Sequence, residues 1–566
     1  RIAISNIEQI EVINGSSSSL YGSEALGGVV NIISSEIKDS LSLNIDYKLA
    51  SYNTNDINLS TGLITKEGKK LNVFFNAYSS DGYDLDKTDN LNTIDPYNNY
   101  TGFIKYSFSK SNFSFFSSAR IFDEKQSFRI NENLFGDNNT LEWNSNSKIG
   151  LKISDNFNLE SDIYFTSYNA EEDISSGDII QEESYFDQFL IKSEVRGIAD
   201  LGIQNKLILG LGYTDESLSR NNFYKNSITQ SSVNLFAQFE GFAAKNTNYI
   251  IGARYDNYSN YKSQISPRIA FRTKIFKDVF LKSSIGKGFK APDFRQLYFN
   301  FTNSTVGYSV VGHNVVIDVV SELTENNQIA NLIVSLDEFD KKLKPESSLS
   351  LNLGLNYNPS NQLKLEINLF RNDINDLIDY RVIANKINGQ NVFSYFNLNK
   401  VYTQGIESTF NFRPNERLNF IIGYQFLEAK DKDIKTSINN GEVFARKSSN
   451  SPSFILQSKE YFGLYNRSKH TFNLKIFLEA KNDLKFNFRS KYRSKYGLFD
   501  SNGNDFLDTY DEFVKGYFDL DIAASKKINK SLTINFGIDN LLDYTDPSNI
   551  SNLPGRILYG RFNLKL

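Results

Sequence analysis

In Leu363-Lys364-Leu365-Glu366-Ile367-Asn368-Leu369 every odd position is apolar and every even one polar. Successive side chains of an extended strand point to opposite faces, so this period makes a ribbon with one greasy and one wet side. The same alternation runs through Leu349, Leu351, Leu353, Leu355 and Tyr357, through Phe472, Leu474, Ile476 and Leu478, and through Leu484, Phe486 and Phe488. It recurs at Leu532, Ile534, Phe536 and Ile538, and at Leu558, Phe562, Leu564 and Leu566, with Arg561, Asn563 and Lys565 on the other face of that last strand. From about Leu41 onward the chain repeats this pattern, each segment followed by a short polar turn or a long polar loop, and it reads as all-β and antiparallel.

Tight connections (358–361, 414–416) and long ones (81–99, 299–342) tend to alternate. Short turns on one rim and long loops on the other describe a transmembrane barrel of the outer membrane. A soluble sandwich would show shorter strands and would not hold one pattern for some 500 residues without a boundary. The mean hydropathy of -0.40 agrees, because lipid-facing and lumen-facing residues average out in a barrel. No window approaches the roughly 18–20 consecutive apolar residues of a spanning helix. The 46 Phe and 32 Tyr suit girdles at the two membrane interfaces. About 22 strands, the number of a plugged transporter, would leave about 24 residues for each strand and its connection.

Zero Cys excludes disulfides, thiolate metal sites and cysteine nucleophiles, and fits passage through an oxidising periplasm. With a net charge of -4 and no basic stripe, nucleic acid is not an expected partner. There is no Met and the chain opens on Arg1, so further sequence is expected upstream, and a secretory signal lies there or never existed.

Residues 1–36 differ from the rest. Ile7 to Val12 reads as a short strand, Asn14-Gly15 as a turn, and Ser16 to Leu20 as a small-residue stretch before Tyr21-Gly22. Paired Gly27 and Gly28 allow tight backbone approach ahead of the apolar run Val29 to Ile33. The stretch IEQIEVINGSSSSLYGSEALGGVVNII resembles the end of the plug domain of TonB-dependent receptors. SPRIAFRTKIFKDVFLKSSIGKGFKAPDFRQLYF, from Ser266 to Phe299, resembles that family's mid-barrel hairpin and its Phe-Arg-Ala-Pro box, with Lys290 where Arg is usual. LKPESSLSLNLGLNY, from Leu343, resembles the box that follows, and GIDNLLDYTDP with PGRILYGRFNLKL resembles the closing hairpin, which here ends on Leu566 instead of an aromatic residue. The resemblance implies the C-terminal end of a plug in residues 1–36 and a receptor barrel in 37–566.

Within the class the likeness is nearest to cobalamin receptors. FRNDINDLIDY (370–380) and GIESTFNF (from Gly405) are similar to their strands, and SSDGYDLD (from Ser79) resembles the region where that family binds calcium. The likeness implies Asp84, Asp95 and Asp123 as oxygen ligands for calcium, a hard cation taking about six to eight oxygens. It also places Arg446 and Arg493 at strand tops facing substrate. Ferric siderophore receptors share the same boxes and remain an alternative. In haem receptors resembling this family a ligating histidine falls in the interval that holds His313, which makes haem a further alternative. A passive porin is the remote one, read from the short plug segment alone.

An outer-membrane hydrolase needs a histidine base beside acidic or serine partners, and neither His313 nor His470 lies in such a motif. No Walker-type loop or dinucleotide fingerprint occurs, so no nucleotide is expected. The resemblance implies active import of a bulky, scarce nutrient across the outer membrane, energised by an inner-membrane complex that pulls on the plug through the periplasmic TonB protein.

Overall fold

The computed structural model describes residues 4–202, 204–303, 307–447 and 451–566. Twenty-two antiparallel strands close into a barrel, in which the first, Leu41–Ala50, lies beside the last, Ile557–Lys565, with Asn44 opposite Lys565 and Ala50 opposite Tyr559. Closure pairs every wall strand on both sides, which is what a sheet needs in lipid, where no water can satisfy an open edge.

The alternation read from the sequence places the two faces in the reverse order of a soluble protein. In the strand Glu346–Ser360, Leu349, Leu351 and Leu353 are 42, 41 and 45% exposed, while Ser348 and Ser350 are 2 and 1% exposed. Asp46, Asn58, Asn234, Arg254 and Asp256 are likewise buried on the lumen side. Asp46 accepts from Arg561 Nε at 2.8 Å across the closure seam. Around the two-residue turn 111–112, Tyr106, Phe108, Phe113 and Phe115 pack ring on ring with centroids 5.5–6.2 Å apart, and Phe410, Phe412 and Phe420 stack nearby in sequence. Aromatic girdles of this kind flank the apolar band of an outer-membrane barrel.

The two rims differ. One carries two-residue turns at 155–156, 245–246, 277–278, 361–362 and 416–417. The strands run further into these turns than the sequence suggested, to Ser360 and Asn415. The other rim carries the segments 81–96, 291–345, 432–469 and 494–516, and its longest strands, Leu363–Lys386 and Asn391–Asn415, have 24 and 25 residues. About 9–11 residues cross a bilayer, so these strands stand well clear of it on the extracellular side.

The long segments are folded, and the apolar core of the molecule lies among them. Within 299–342, read from sequence as one polar loop, the helix Val316–Glu325 turns Val316, Val319 and Val320 to one side. That i, i+3, i+4 stripe packs with Val311, Phe339, Ile383, Val392 and Phe396. A second cluster, Ile438, Ala445, Leu456, Tyr461 and Phe506, joins the segments 432–469 and 494–516.

Inside the barrel the first residues form a hairpin, Ile7–Asn14 with Gly28–Ser34, with Val12 opposite Val30 and a single helical turn, Ser18–Tyr21, in its connection. Gly28 takes φ +151°, and a Cβ there would sit on the carbonyl oxygen of Ile13, so the close approach foreseen for the glycine pair holds at Gly28, while a Cβ at Gly27 would meet nothing.

Candidate functional site

The plug element is clipped to the lumen wall by its serines. Ser16, Ser17, Ser18 and Ser19 are all buried, since only side chains this small let the backbone lie against the strands around Gly286 and Gly288. Arg268 donates to Ser17 Oγ at 2.9 Å, the Phe289 N–H to Ser18 Oγ at 3.3 Å, and the Ala291 N–H to Ser23 Oγ at 3.1 Å. Ser348 Oγ donates to the Leu26 carbonyl at 3.1 Å, and Asn14 Nδ2 to Glu407 at 3.0 Å. The buried pair Arg254–Asp256, with Nε to Oδ1 at 2.9 Å, adds a further bond from Arg254 Nη1 to the Leu20 carbonyl at 3.2 Å. Tyr21 and Glu24 stay exposed toward the lumen. A cavity of about 570 Å³ remains between Val12–Asn14 and the wall at Arg268, Lys282, Asn352 and Glu366.

On the extracellular side a cavity of about 770 Å³ is lined by Arg446 together with Asp433, Glu442, Phe444, Asn502 and Asp505. Arg446 is exposed and follows the two-residue ribbon Phe444–Ala445 within the crown, not the top of a wall strand. The two loops that form this cavity are tied together by Tyr510, whose hydroxyl donates to Glu460 at 2.6 Å and holds that carboxyl below the usual carboxylate range. Arg493 is engaged differently. Its Nε donates to Ser468 Oγ at 2.8 Å and its Nη2 to Asn466 Oδ1 at 2.8 Å, and the guanidinium lies 3.6 Å from the Tyr496 ring centre. Most of its donors hold the 466–468 segment in place.

The three implied calcium ligands are not brought together. Asp84 and Asp95 flank the bridge between Tyr83 and Ile94, where Asp84 accepts from the Asp86 N–H and Asp95 from Asn92. Asp123 belongs to the strand Phe113–Arg129, two residues from the outward-facing Ile121 and opposite the outward-facing Leu141, and so shares the outer face. Among the described residues no three His, Asp or Glu side chains converge on a common point. His313, the implied haem ligand, is 4% exposed, with Nδ1 2.9 Å from the Tyr395 carbonyl and Nε2 2.7 Å from the Lys341 carbonyl. Both ring nitrogens are occupied by backbone carbonyls, one from the loop and one from the strand Asn391–Asn415, and the ring packs against Phe339 and Phe396.

Sequence reading passed over Arg254, Arg268 and the acidic residues that line the cavity with Arg446. Arg254-x-Asp256 carried a signal, since residues two apart share one face of a strand and an inward ion pair can form along it. Nothing local ties Asp433 or Asp505 to Arg446.

A closed outer-membrane barrel, a plug element clipped inside it and a folded extracellular crown together define a plugged receptor barrel. The β-barrel model described as "TonB dependent receptor-like" matches residues 41–541, and the TonB-dependent receptor plug model matches residues 1–29; the chain belongs to the TonB-dependent receptors. Vitamin B12 transporter BtuB of Vibrio cholerae serotype O1 is 24% identical over 314 residues, covering 53% of this chain and 49% of that protein. The chain thus matches about half the length of that curated relative. The iron-regulated outer membrane virulence protein of the same organism is 22% identical over 566 residues, 95% of this chain and 76% of the other. The siderophore receptor PirA from Pseudomonas aeruginosa has the same fold, with a TM-score of 0.71 at 16% identity over 100% of this chain and 88% of that one.

Proposed function

We propose that the chain is the barrel of an outer-membrane active transporter that captures cobalamin or a related corrinoid on its extracellular crown and takes it inward with energy delivered through the plug by TonB. The observation that carries this is the likeness to the vitamin B12 transporter across more than half of the chain. The clipped plug element supports active transport over a passive pore, because it fills part of the lumen that a porin leaves open. A bulky ligand needs a broad, polar face with aromatic and charged side chains set on a rigid scaffold, and the crown around Arg446 offers one.

A ferric siderophore is the second reading, supported by the iron-regulated relative that aligns over 95% of this chain. Haem is a weaker one, because His313 would have to give up a carbonyl partner before iron could bind a ring nitrogen. Uptake of labelled cyanocobalamin by cells lacking their own receptor, with and without TonB, tests the proposal. Uptake that disappears without TonB is expected; ferric siderophore uptake with none of cobalamin would move the assignment to the second reading.

A further inference from the structure

Just above the lipid-facing belt, one sector of the wall turns a group of cations outward. In the strand Leu363–Lys386, Leu369 faces outward and Arg371 and Asp373 follow on the same face, with Arg371 opposite the outward-facing Leu351. Across the next two strands Arg371 is in line with Gln404 and Glu428, and Asp373 with Tyr402 and Lys430, so these six residues share the outer face. Arg371 lies about nine residues above the turn 361–362, the length of strand that crosses a bilayer. One row lower Phe426 stands opposite His470, and the Tyr424 hydroxyl lies 2.9 Å from His470 Nδ1. Outward rings at this height mark the place where hydrocarbon gives way to headgroups.

The helix Lys432–Asn439 brings two more cations to this face. Lys432 Nζ reaches Asp373 at 2.7 Å, and Lys435 Nζ donates to the Tyr402 hydroxyl at 3.1 Å. Arg371 donates to both oxygens of Asp373, at 2.8 and 2.9 Å, with its guanidinium 4.7 Å from the Tyr402 ring centre, and Lys430 pairs with Glu428 at 3.2 Å. Four cations thus share two carboxylates, and among the described residues Lys435 forms no ion pair. The other carboxylates of this helix are engaged elsewhere. Asp431 is buried and caps it, accepting from the Asp433 and Ile434 N–H groups, and Asp433 lines the Arg446 cavity. Arg371, Lys432 and Lys435 are half-buried, each with part of its surface open. At the corresponding height on the strands Phe113–Arg129 and Ile179–Asp200, Asp123 and Asp187 face outward instead, Asp187 in line with the outward-facing Leu141 through Asn169. The positive surplus is therefore a property of one sector and not of the whole rim.

A surplus of cations at headgroup height attracts anionic lipid, and a guanidinium flanked by ammonium groups matches the oxygens of a phosphate. We propose that Arg371, Lys432 and Lys435 hold the phosphate of an anionic lipid of the outer leaflet, whose chains lie along the belt at Leu351, Leu369 and Ile406. The helix gives this contact a second consequence. Lys432 and Lys435 meet the lipid, while Asp433, Ile434 and Ser437 line the cavity that holds Arg446 and Ile438 packs in the crown's apolar cluster. A bound headgroup therefore steadies one wall of that cavity, whichever nutrient the receptor carries.

The test is native mass spectrometry of the refolded receptor in nonionic detergent, titrated with phosphorylated lipid A, with phosphatidylcholine or with inorganic phosphate. Saturable binding of lipid A is expected, weakened by salt, with little binding of phosphatidylcholine, whose own cation offsets its phosphate. Inorganic phosphate at equal concentration should not displace the lipid, because it has no chains to lay on the belt. Lys432→Gln combined with Lys435→Gln should weaken lipid A binding about thirtyfold, and Asp123→Asn combined with Asp187→Asn should leave it unchanged. Bound lipid A should slow hydrogen exchange over 432–445 in the wild type and not in the double lysine variant. Heat-modifiable migration on gels reports an intact barrel for each variant. Equal lipid A affinity in wild type and the double lysine variant, or displacement by inorganic phosphate, would overturn the site. Exchange over 432–445 that bound lipid does not move would overturn its link to the cavity.

Discussion

In the wall, Leu349, Leu351 and Leu353 face outward while Ser348 and Ser350 are buried; in the crown, Val316, Val320 and Leu507 are buried. The same polypeptide therefore uses two opposite rules, and the hairpin from 363 to 415 passes from one to the other along its own length. The difference lies in the surrounding medium. Outside the wall is hydrocarbon, so apolar side chains gain nothing by hiding from it and polar ones must turn to the lumen. Outside the crown is water, and loops too long to stay open collapse around apolar clusters as a soluble domain does. A receptor needs both, since the wall fixes where the crown sits and the crown meets the ligand.

Four substitutions or conditions separate the two regions. The largest effect is expected from Val320→Asp, which puts an unpaired carboxylate into the crown's apolar cluster, at the upper end of the roughly 3–5 kcal/mol that an uncompensated buried charge costs. Hydrogen exchange should show 291–345 opening while the barrel keeps its heat-modifiable migration; loss of the barrel itself would mean that wall and crown are one cooperative unit. Arg254→Ala follows, at about 3 kcal/mol, because Asp256 and the Leu20 carbonyl lose their donor in the lumen. Protease access to residues 15–24 should rise, and unchanged protection would show that the serine contacts suffice.

Leu353→Arg reverses the wall's rule on its outer face and should cost about 2–4 kcal/mol near the middle of the bilayer, read from denaturant refolding into lipid. The crown should be untouched once the barrel has formed. The smallest effect concerns pH. Asp508 has its folded-state pKa raised by burial, so the folded crown binds more protons than the unfolded one. Crown stability is then greatest below the usual carboxylate range and falls as pH rises through and above it. Exchange protection of 500–511 should show that slope, and Asp508→Asn should flatten it.

The wall was legible because period-2 alternation is local: each strand announces its two faces without reference to any other. The plug hairpin was legible for a similar reason, since Gly28 and the small residues Ser16 to Ser19 report close backbone approach wherever their partners are. The crown was not, because its contacts join distant segments. His313 meets the carbonyl of Tyr395, 82 residues away, and a lone histidine in a sequence gives no hint that its nitrogens are already taken. Arg493 ends the strand Leu484–Arg493, and its engagement with Asn466 and Ser468 depends on how the preceding loop returns. Asp123 is a different lesson. Its spacing from Ile121, two residues away, puts it on the outer face of the wall.

Equilibrium binding of cyanocobalamin to the refolded receptor, beside haem and a panel of ferric siderophores, tests the central claim most directly. Saturable cobalamin binding, weakened about tenfold by Arg446→Ala and absent for the other ligands, is the predicted result. A ferric siderophore bound in its place by a barrel with an intact crown would contradict the assignment of ligand.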